Sequence, residues 1–328
     1  MATLNEIANI LGISKSTVSR VINNDPNVKY ATRERVWKVI RELNYKPNII
    51  ARSMITGSLP LVLVIVGDMQ NHYFSKTFIG IEKVLMGTGY MPVVYNSMYD
   101  VAKEKELIQM ARDYQFAGMI PMTGVASQEL KECIQDVKCP LVFINRKFDD
   151  LEFDEIGSDD FDASYKATSE LIDNGHRRIA YLSGSKKSSI AETRFRGFCK
   201  ALEDNGIALD ENLVFKGSLD MTSGYELAGK IFNELGIKAI CSNNFLMALG
   251  VLRYGARNGR TVLKDFEIAC CEMVPDLYFD SGMIFVGADL EAIGEKAGKI
   301  LLKRIAGAND PKHRICFSAS KVFNPLKA

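Results

Sequence analysis

The sequence predicts an all-α helix-turn-helix head followed by an α/β body built as two doubly wound parallel-sheet lobes. Three observations predict it. Three short amphipathic helical patterns fall within roughly the first 45 residues, and a single glycine separates the first two. From Leu61 onward, short continuous apolar runs alternate with helical patterns to the end of the chain. The charge is also uneven. The chain of 328 residues carries a formal net charge of +1, but residues 1–57 hold nine Lys and Arg against four acids, a net of +5, and the rest sums to −4. A basic head on a slightly acidic body marks the head as the part that meets a polyanion.

In the head, Thr3-Leu4-Asn5-Glu6 reads as a capping box. Leu4, Ile7, Ala8 and Leu11 follow at helical spacing, and Gly12 ends the helix, since glycine tolerates positive φ at little cost. Ser14 is placed to cap a second helix, whose apolar face is Val18, Val21 and Ile22. Lys15, Ser16, Ser19, Arg20 and Asn23 are left largely outward, and Asn24-Asp25-Pro26 closes the helix. Thr32 is expected to cap a third helix, with Val36, Val39, Ile40 and Leu43 on its buried side. A short basic helix rich in hydroxyls fits the major groove, where Lys, Arg, Ser, Thr and Asn read base edges or grip phosphates. On spacing alone a plain three-helix bundle with a solvated polar face stands beside this reading.

The body's expected strands are Leu61–Val66, Met91–Tyr95, Gly118–Pro121, Leu141–Ile144, Ile179–Leu182, Ala239–Cys241, Ile268–Cys271 and Met283–Val286. Amphipathic stretches near 75–87, 102–115, 127–137, 163–174, 192–205, 222–235, 246–258 and 290–306 lie between them. Continuous apolar strands between helices indicate parallel sheets covered on both faces. The stretch is too long for one open sheet, hence two lobes.

Ile13-Ser14-Lys15-Ser16-Thr17-Val18-Ser19-Arg20-Val21-Ile22-Asn23 resembles the recognition helix of the LacI/GalR family of transcriptional repressors. Thr32-Arg33-Glu34-Arg35-Val36 and Tyr45-Lys46-Pro47-Asn48-Ile49-Ile50-Ala51-Arg52-Ser53-Met54 resemble its third helix and hinge. The resemblance implies that Lys15, Ser16 and Arg20 face bases. It makes Thr17, Ser19, Asn23 and Tyr45 candidates for phosphate contact or packing. It also implies that Asn48, Arg52 and Met54 belong to a hinge helix that folds in the minor groove when two copies meet. Methionine stands where the family usually has a leucine wedge. Because one helix reads only a few base pairs, a homodimer on a pseudopalindromic operator is expected.

The resemblance extends through the body. It implies a fold like the periplasmic sugar-binding proteins, with residues 1–46 as DNA-binding domain, 47–59 as hinge and linker, and 60–328 as effector and dimerisation domain. Crossovers between lobes are expected near 157–163 and 286–292, and a ligand cleft between the lobes. Ligands of such folds sit at the carboxyl ends of strands. There Asp68 and Asn71 can bond ligand hydroxyls and Tyr73 or Phe74 can stack on a ring, with His72 in place of the family's usual proline. Arg194-Phe195-Arg196-Gly197-Phe198 resembles the family's Arg-x-x-Gly-aromatic motif, which makes Arg194 the expected ligand fork. Asn244, Glu272 and one of Asp159, Asp160 and Asp162, with Asp159 the chosen candidate, complete the expected site. Phe245 stands where the family usually has Asp, and Cys271-Glu272 where it usually has an aromatic and Asp. The expected effector is a sugar or sugar derivative. A nucleoside, a protein corepressor, or a sugar receptor without DNA binding are the alternatives.

Other classes find no support. The sequence has no Walker loop, no GxGxxG after a strand, no GxSxG, no HExxH and no metal-ligand cluster, so neither an enzyme nor a cofactor is expected. The seven cysteines form no CxxC pair and are read as buried reduced thiols. No apolar run approaches the roughly 20 residues of a membrane span. The first residues show no basic n-region followed by an apolar h-region, so a cytoplasmic location is expected.

Overall fold

The computed structural model describes residues 3–22, 25, 27–45, 53, 57–124, 126–146, 148, 151–184, 189–274 and 281–327, with the side chains of 189 and 321 excepted. The chain divides into two compact units, Met1–Leu59 and Pro60–Ala328. Among the described residues, no helix is long and apolar enough to cross a membrane.

The first unit holds helices α1 (Leu4–Leu11), α2 (Lys15–Ile22) and α3 (Tyr30–Glu42). Both halves of the Thr3/Glu6 capping box form, and Gly12 ends α1 at φ 65°. The Ser14 hydroxyl accepts the Thr17 N–H at 3.2 Å and caps α2. The third helix differs from expectation. It begins at Tyr30 behind Lys29, with no side-chain cap, so Thr32 lies in its first turn. An arginine fixes the preceding loop instead: Arg33 Nη2 donates to the Asp25 carbonyl at 2.9 Å. Ile7, Val18, Val21, Val36, Val39 and Ile40 make the small core.

The second unit has two sheets. In the first lobe, β1 (Leu59–Val66) lies between β2 (Met91–Asn96) and β3 (Phe116–Pro121), while β5 (Asp154–Ser158) lies between β4 (Val142–Ile144) and β11 (Arg314–Phe317). A parallel bridge from Met119 to Leu141 joins the two halves. Its helices are α4 (His72–Leu85), α5 (Val101–Asp113), α6 (Gln128–Gln135) and α11 (Leu290–Ile305). In the second lobe the strand order is β12 (Lys321–Phe323), β10 (Ile284–Gly287), β9 (Glu267–Cys270), β8 (Ala239–Ser242), β6 (Ile179–Ser183) and β7 (Val214–Lys216). Its helices are α7 (Asp160–Asp173), α8 (Ser189–Asp204), α9 (Met221–Gly229, continued by a π-turn Lys230–Glu234) and α10 (Phe245–Arg257). Within the lobes the strand pairs run parallel, except that β12 runs antiparallel to β10.

Period-two alternation builds a core on each face of each sheet. In β1, Val62, Val64 and Val66 pack with α4 and α11, and Leu63 and Ile65 pack with α5 and α6. In β6, Ala180 and Leu182 face α9 and α10, and Ile179 and Tyr181 face α7 and α8. The chain passes between lobes three times: from β5 to α7, from β10 to α11, and from β11 to β12. The third passage has no counterpart among the sequence expectations. The described thiols are free, but they are not uniformly buried. Cys241, Cys270 and Cys271 are, Cys133, Cys139 and Cys199 are half-buried, and Cys316 is exposed because β11 is an edge strand.

Candidate functional site

Two regions bring chemistry-bearing side chains together, one in each unit. In the first unit, Val18 and Val21 hold α2 against the core, and Lys15, Ser16 and Arg20 lie exposed on its other side. Thr17 and Ser19 are half-buried. The hydroxyls of Ser16 and Thr17 meet that of Ser14 at 2.7 and 2.9 Å, which stiffens the turn entering α2. Arg20 lies 3.9 Å from Asp25 with its side chain 66% exposed, a loose surface pair that screening makes weak. Tyr45 packs against the core cluster. Not every cation of the head faces outward, because Arg33 is bound to the Asp25 carbonyl and Arg35 to the Leu11 carbonyl at the end of α1. Asn23, Asn48, Arg52 and Met54 lie outside the described residues.

In the second unit, a cavity of about 360 Å³ opens between the lobes at the carboxyl ends of the parallel strands. The first lobe contributes Asn71, Tyr73 and Phe74 from the start of α4, Tyr99 after β2, Met122 after β3 and Asn145 after β4. The second contributes Arg194 from α8, Leu219 after β7, Asn243 and Asn244 after β8, and Glu272 after β9. Thus Asn71, Tyr73, Phe74, Arg194, Asn244 and Glu272 come together. Asp68 and Asp159 are not among the lining residues. Asp68 holds the Gln70 N–H at 2.9 Å, and Asp159 caps α7 through the Asp162 N–H at 2.9 Å.

Local hydrogen bonds position the first-lobe wall. The Asn71 side chain caps α4 at Tyr73, which fixes the two aromatics that follow. Asn145 Nδ2 donates to the Tyr73 hydroxyl at 2.7 Å. The Tyr73 and Phe74 rings meet edge to face at 5.3 Å, and Phe74 and Tyr99 lie 6.2 Å apart. Tyr99 takes φ 58° directly after Met98 at 57°. The pair occupies left-handed backbone that ordinary side chains avoid. A Cβ on Gly67 would overlap the Tyr99 ring, so glycine is what lets the ring lie over the end of β1.

In the second lobe, Arg194 is a hub more than a free fork. Its Nε and Nη2 donate to Asp160 Oδ1 at 2.9 and 2.7 Å, and its Nη1 donates to the Asn243 carbonyl and lies 3.5 Å from Glu272 Oε1. Burial opposes the Arg194 charge, but Asp160 and Glu272 outweigh it and hold the guanidinium protonated. Glu272 Oε2 accepts the Phe245 N–H at 3.0 Å. Burial pushes the Glu272 carboxyl above its ordinary value, with Arg194 pulling the other way. Burial, with Asp160 beside Tyr73 and Glu272 beside Tyr99, keeps both phenols protonated. Asn244 caps α10 at Met247 and donates to the Leu219 carbonyl at 2.8 Å. Phe245 lies in the core below.

Sequence reasoning missed Tyr99, Asn145 and Asn243, and of the three aspartates it offered it chose Asp159 where Asp160 is the one that binds Arg194. A turn residue after each apolar run was the available signal, since the carboxyl ends of adjacent strands converge here. Arg196 is exposed. His176 Nε2 pairs with Glu267 at 3.1 Å, a structural contact away from the cavity.

Residues 3–48 match the family model "Bacterial regulatory proteins, lacI family", and residues 60–271 match "Periplasmic binding proteins and sugar binding domain of LacI family". The chain is 30% identical over 308 residues to the HTH-type transcriptional repressor PurR of Vibrio parahaemolyticus serotype O3:K6 (strain RIMD 2210633), covering 93% of this chain and 92% of the relative. Among solved structures, the lac repressor dimer bound to operator and the anti-inducer ONPF is similar with a TM-score of 0.80 and 25% identity, covering 98% of each chain. The transcription regulator CcpA of Lactococcus lactis gives 0.73 at 26% identity, covering 80% of this chain and 97% of that one. The basic reading helix, the two-lobed body with its cleft and these matches lead to one conclusion: the chain belongs to the LacI family of bacterial regulatory proteins and is a DNA-binding transcriptional repressor with a small-molecule effector domain.

Proposed function

We propose that this repressor binds a pseudopalindromic operator in the cytoplasm as a homodimer, and that a sugar-like ring compound in the interlobe cleft sets its operator affinity. The observation that carries the DNA half is the outer face of α2, where Lys15, Ser16 and Arg20 are exposed while the opposite side is locked into the core. In this reading Lys15, Ser16 and Arg20 meet base edges, and Thr17, Ser19, Asn23 and Tyr45 support phosphate contact or packing. The same reading gives minor-groove contact to Asn48, Arg52 and Met54, which lie outside the described residues. Residues 1–46, 47–59 and 60–328 act as reader, hinge and sensor.

The dimer is supported by apolar side chains that one copy leaves in water. Met91 and Tyr95 on the edge strand β2, and Ile79 and Met86 on and after α4, are 60%, 39%, 44% and 74% exposed. A cluster of large exposed apolar groups marks an interaction surface.

In the cleft, Asn71, Asn145 and Asn243 offer amides to a ligand, Tyr73, Phe74 and Tyr99 offer ring faces, and Arg194, Asn244 and Glu272 close the far side. Asp68 and Asp159 join only if the lobes rearrange around the ligand. A flat heteroaromatic base is the second reading, favoured by the aromatic wall.

The test has two arms. Random-sequence duplex selection with the purified full chain at moderate salt should enrich a pseudopalindrome, and no enrichment sinks the operator reading. A thermal-shift screen of monosaccharides, nucleosides and nucleobases should find a stabilising compound, because a ligand at 100 times its Kd adds about 2.7 kcal/mol. That compound must also move operator affinity, or the cleft is not the control site.

A further inference from the structure

The cleft reading leaves a charge without a full partner, and the further inference rests on that reading. Arg194, Asp160 and Glu272 are 5%, 8% and 7% exposed. One guanidinium therefore faces two carboxylates. Asp160 takes the Nε and Nη2 donors at 2.9 and 2.7 Å, and Nη1 is held by the Asn243 carbonyl. Glu272 is left with a 3.5 Å approach to Nη1 and a backbone N–H on its other oxygen. A buried carboxylate in that position either takes a proton or waits for a positive charge. Asp160 neutralises Arg194, so the guanidinium does not repel a cation arriving from the cavity.

The facing wall suits such a cation. Tyr73, Phe74 and Tyr99 line it with their rings in contact, and aromatic faces attract ammonium groups, most strongly where water is excluded. The fold maintains Tyr99 there at some expense, with two successive left-handed residues and a glycine that makes room for the ring. Such an aromatic wall opposite one under-neutralised carboxylate is a poor match for a neutral polyol, which leaves the charge where it was.

We infer that the effector carries a protonated amine, bound between the Glu272 carboxylate and the Tyr99 and Phe74 rings, and thus belongs to the class of amino sugars and similar compact amines. Binding exchanges a proton on Glu272 for the ligand's charge, which makes affinity rise with pH through the raised Glu272 titration. The charged and titratable groups around Glu272 are Arg194 on α8, Asp160 on α7, Cys270 on β9, the adjacent Cys271, and Tyr73 and Tyr99 across the cleft.

The experiment uses the full chain and matched probes: D-glucosamine against D-glucose and N-acetyl-D-glucosamine, and choline against its uncharged isostere 3,3-dimethyl-1-butanol. At pH 7, where glucosamine is still mostly protonated and choline is permanently charged, at least one cation should raise Tm and bind on the order of ten times more tightly than its neutral partner, one ion-pair's worth of preference. Glu272→Gln keeps the shape and removes that preference, and Tyr99→Leu weakens it. Calorimetric titration of choline in buffers of different ionisation enthalpy should register proton release that fades as the pH is raised and Glu272 is already ionised before binding. Without ligand, Glu272→Gln should raise Tm at pH 8, with the gain vanishing toward pH 5. Neutral partners binding equally well, an unchanged preference in Glu272→Gln, or no response to either cation overturns the amine site. Operator affinity is read separately by fluorescence anisotropy. A cation that binds without moving it leaves the amine site standing and sinks the regulatory reading, and a neutral sugar that moves it does the opposite.

Discussion

Arg146 is the largest fully buried side chain among the described residues, and it lies two positions after the apolar run Val142–Ile144. Its Nη1 lies 2.6 Å from Glu104 Oε1, its Nη2 donates to the other oxygen at 2.9 Å, and its Nε donates to the Thr123 carbonyl at 2.9 Å. The cluster ties α5 to the segments after β3 and β4, which carry Met122 and Asn145 into the cleft. Arg146→Met should destabilise by about 3–5 kcal/mol, because it strands the Glu104 charge, whereas Arg146→Met with Glu104→Leu should recover most of the loss. Urea denaturation of the three proteins checks this, and a single variant as stable as the wild type refutes it. At the reading helix, Arg20→Ala should lower specific operator affinity by about 1–3 kcal/mol through loss of a bidentate base contact. Anisotropy on the selected operator and on a scrambled duplex measures it, and an unchanged ratio between the two removes Arg20 from base reading. Arg20 could be singled out from its place opposite Val18 and Val21. Arg146 and Glu104 could not, because nothing in a linear pattern distinguishes a buried ion pair from two solvated charges 42 positions apart.

At the scale of elements, α4 and α11 approach backbone to backbone. A Cβ on Gly80 would overlap the Glu291 carbonyl oxygen, and one on Gly294 would overlap that of Thr77. Gly80→Ala should therefore cost about 1–3 kcal/mol as the helices are forced apart. Helix propensity alone would favour alanine by about 1 kcal/mol, so a stabilised variant in chemical denaturation would mean the contact yields. The elements readable from the sequence were those with strong periodicity: the eight apolar runs each lie in or beside a strand. The strands that escaped are β5, β7, β11 and β12. Three of these are sheet edges, where one side needs no apolar neighbour. β5 reads Asp-Glu-Ile-Gly-Ser, and its buried Asp154 is held by Arg304 at 2.8 Å, a partner 150 positions away. The Thr32 cap failed for a related reason, since Arg33 on the Asp25 carbonyl sets the approach to α3.

At the scale of the whole molecule, control of DNA by a ligand is a statement of linkage. If a compound found in the screen changes operator affinity by some factor, saturating operator must change the affinity for that compound by the same factor, commonly about 5–150-fold. Titrating the compound with and without operator duplex checks this, and unequal factors mean that a further equilibrium, such as dimer dissociation, intervenes. Two lobes were legible because length and alternation demand them. The cleft was legible only as a place, since its walls come from turns whose residues follow no period. The three passages between lobes also order the protein's birth. β11 completes one sheet and β12 the other, so the first lobe is whole only once residue 317 has been made and the second only at residue 323, about 260 residues after the head. At roughly 5–20 residues per second, that interval is tens of seconds. A nascent chain thus owns its reading helices well before it owns anything that can govern them, and newly made copies reach the sensing state together with their final strands.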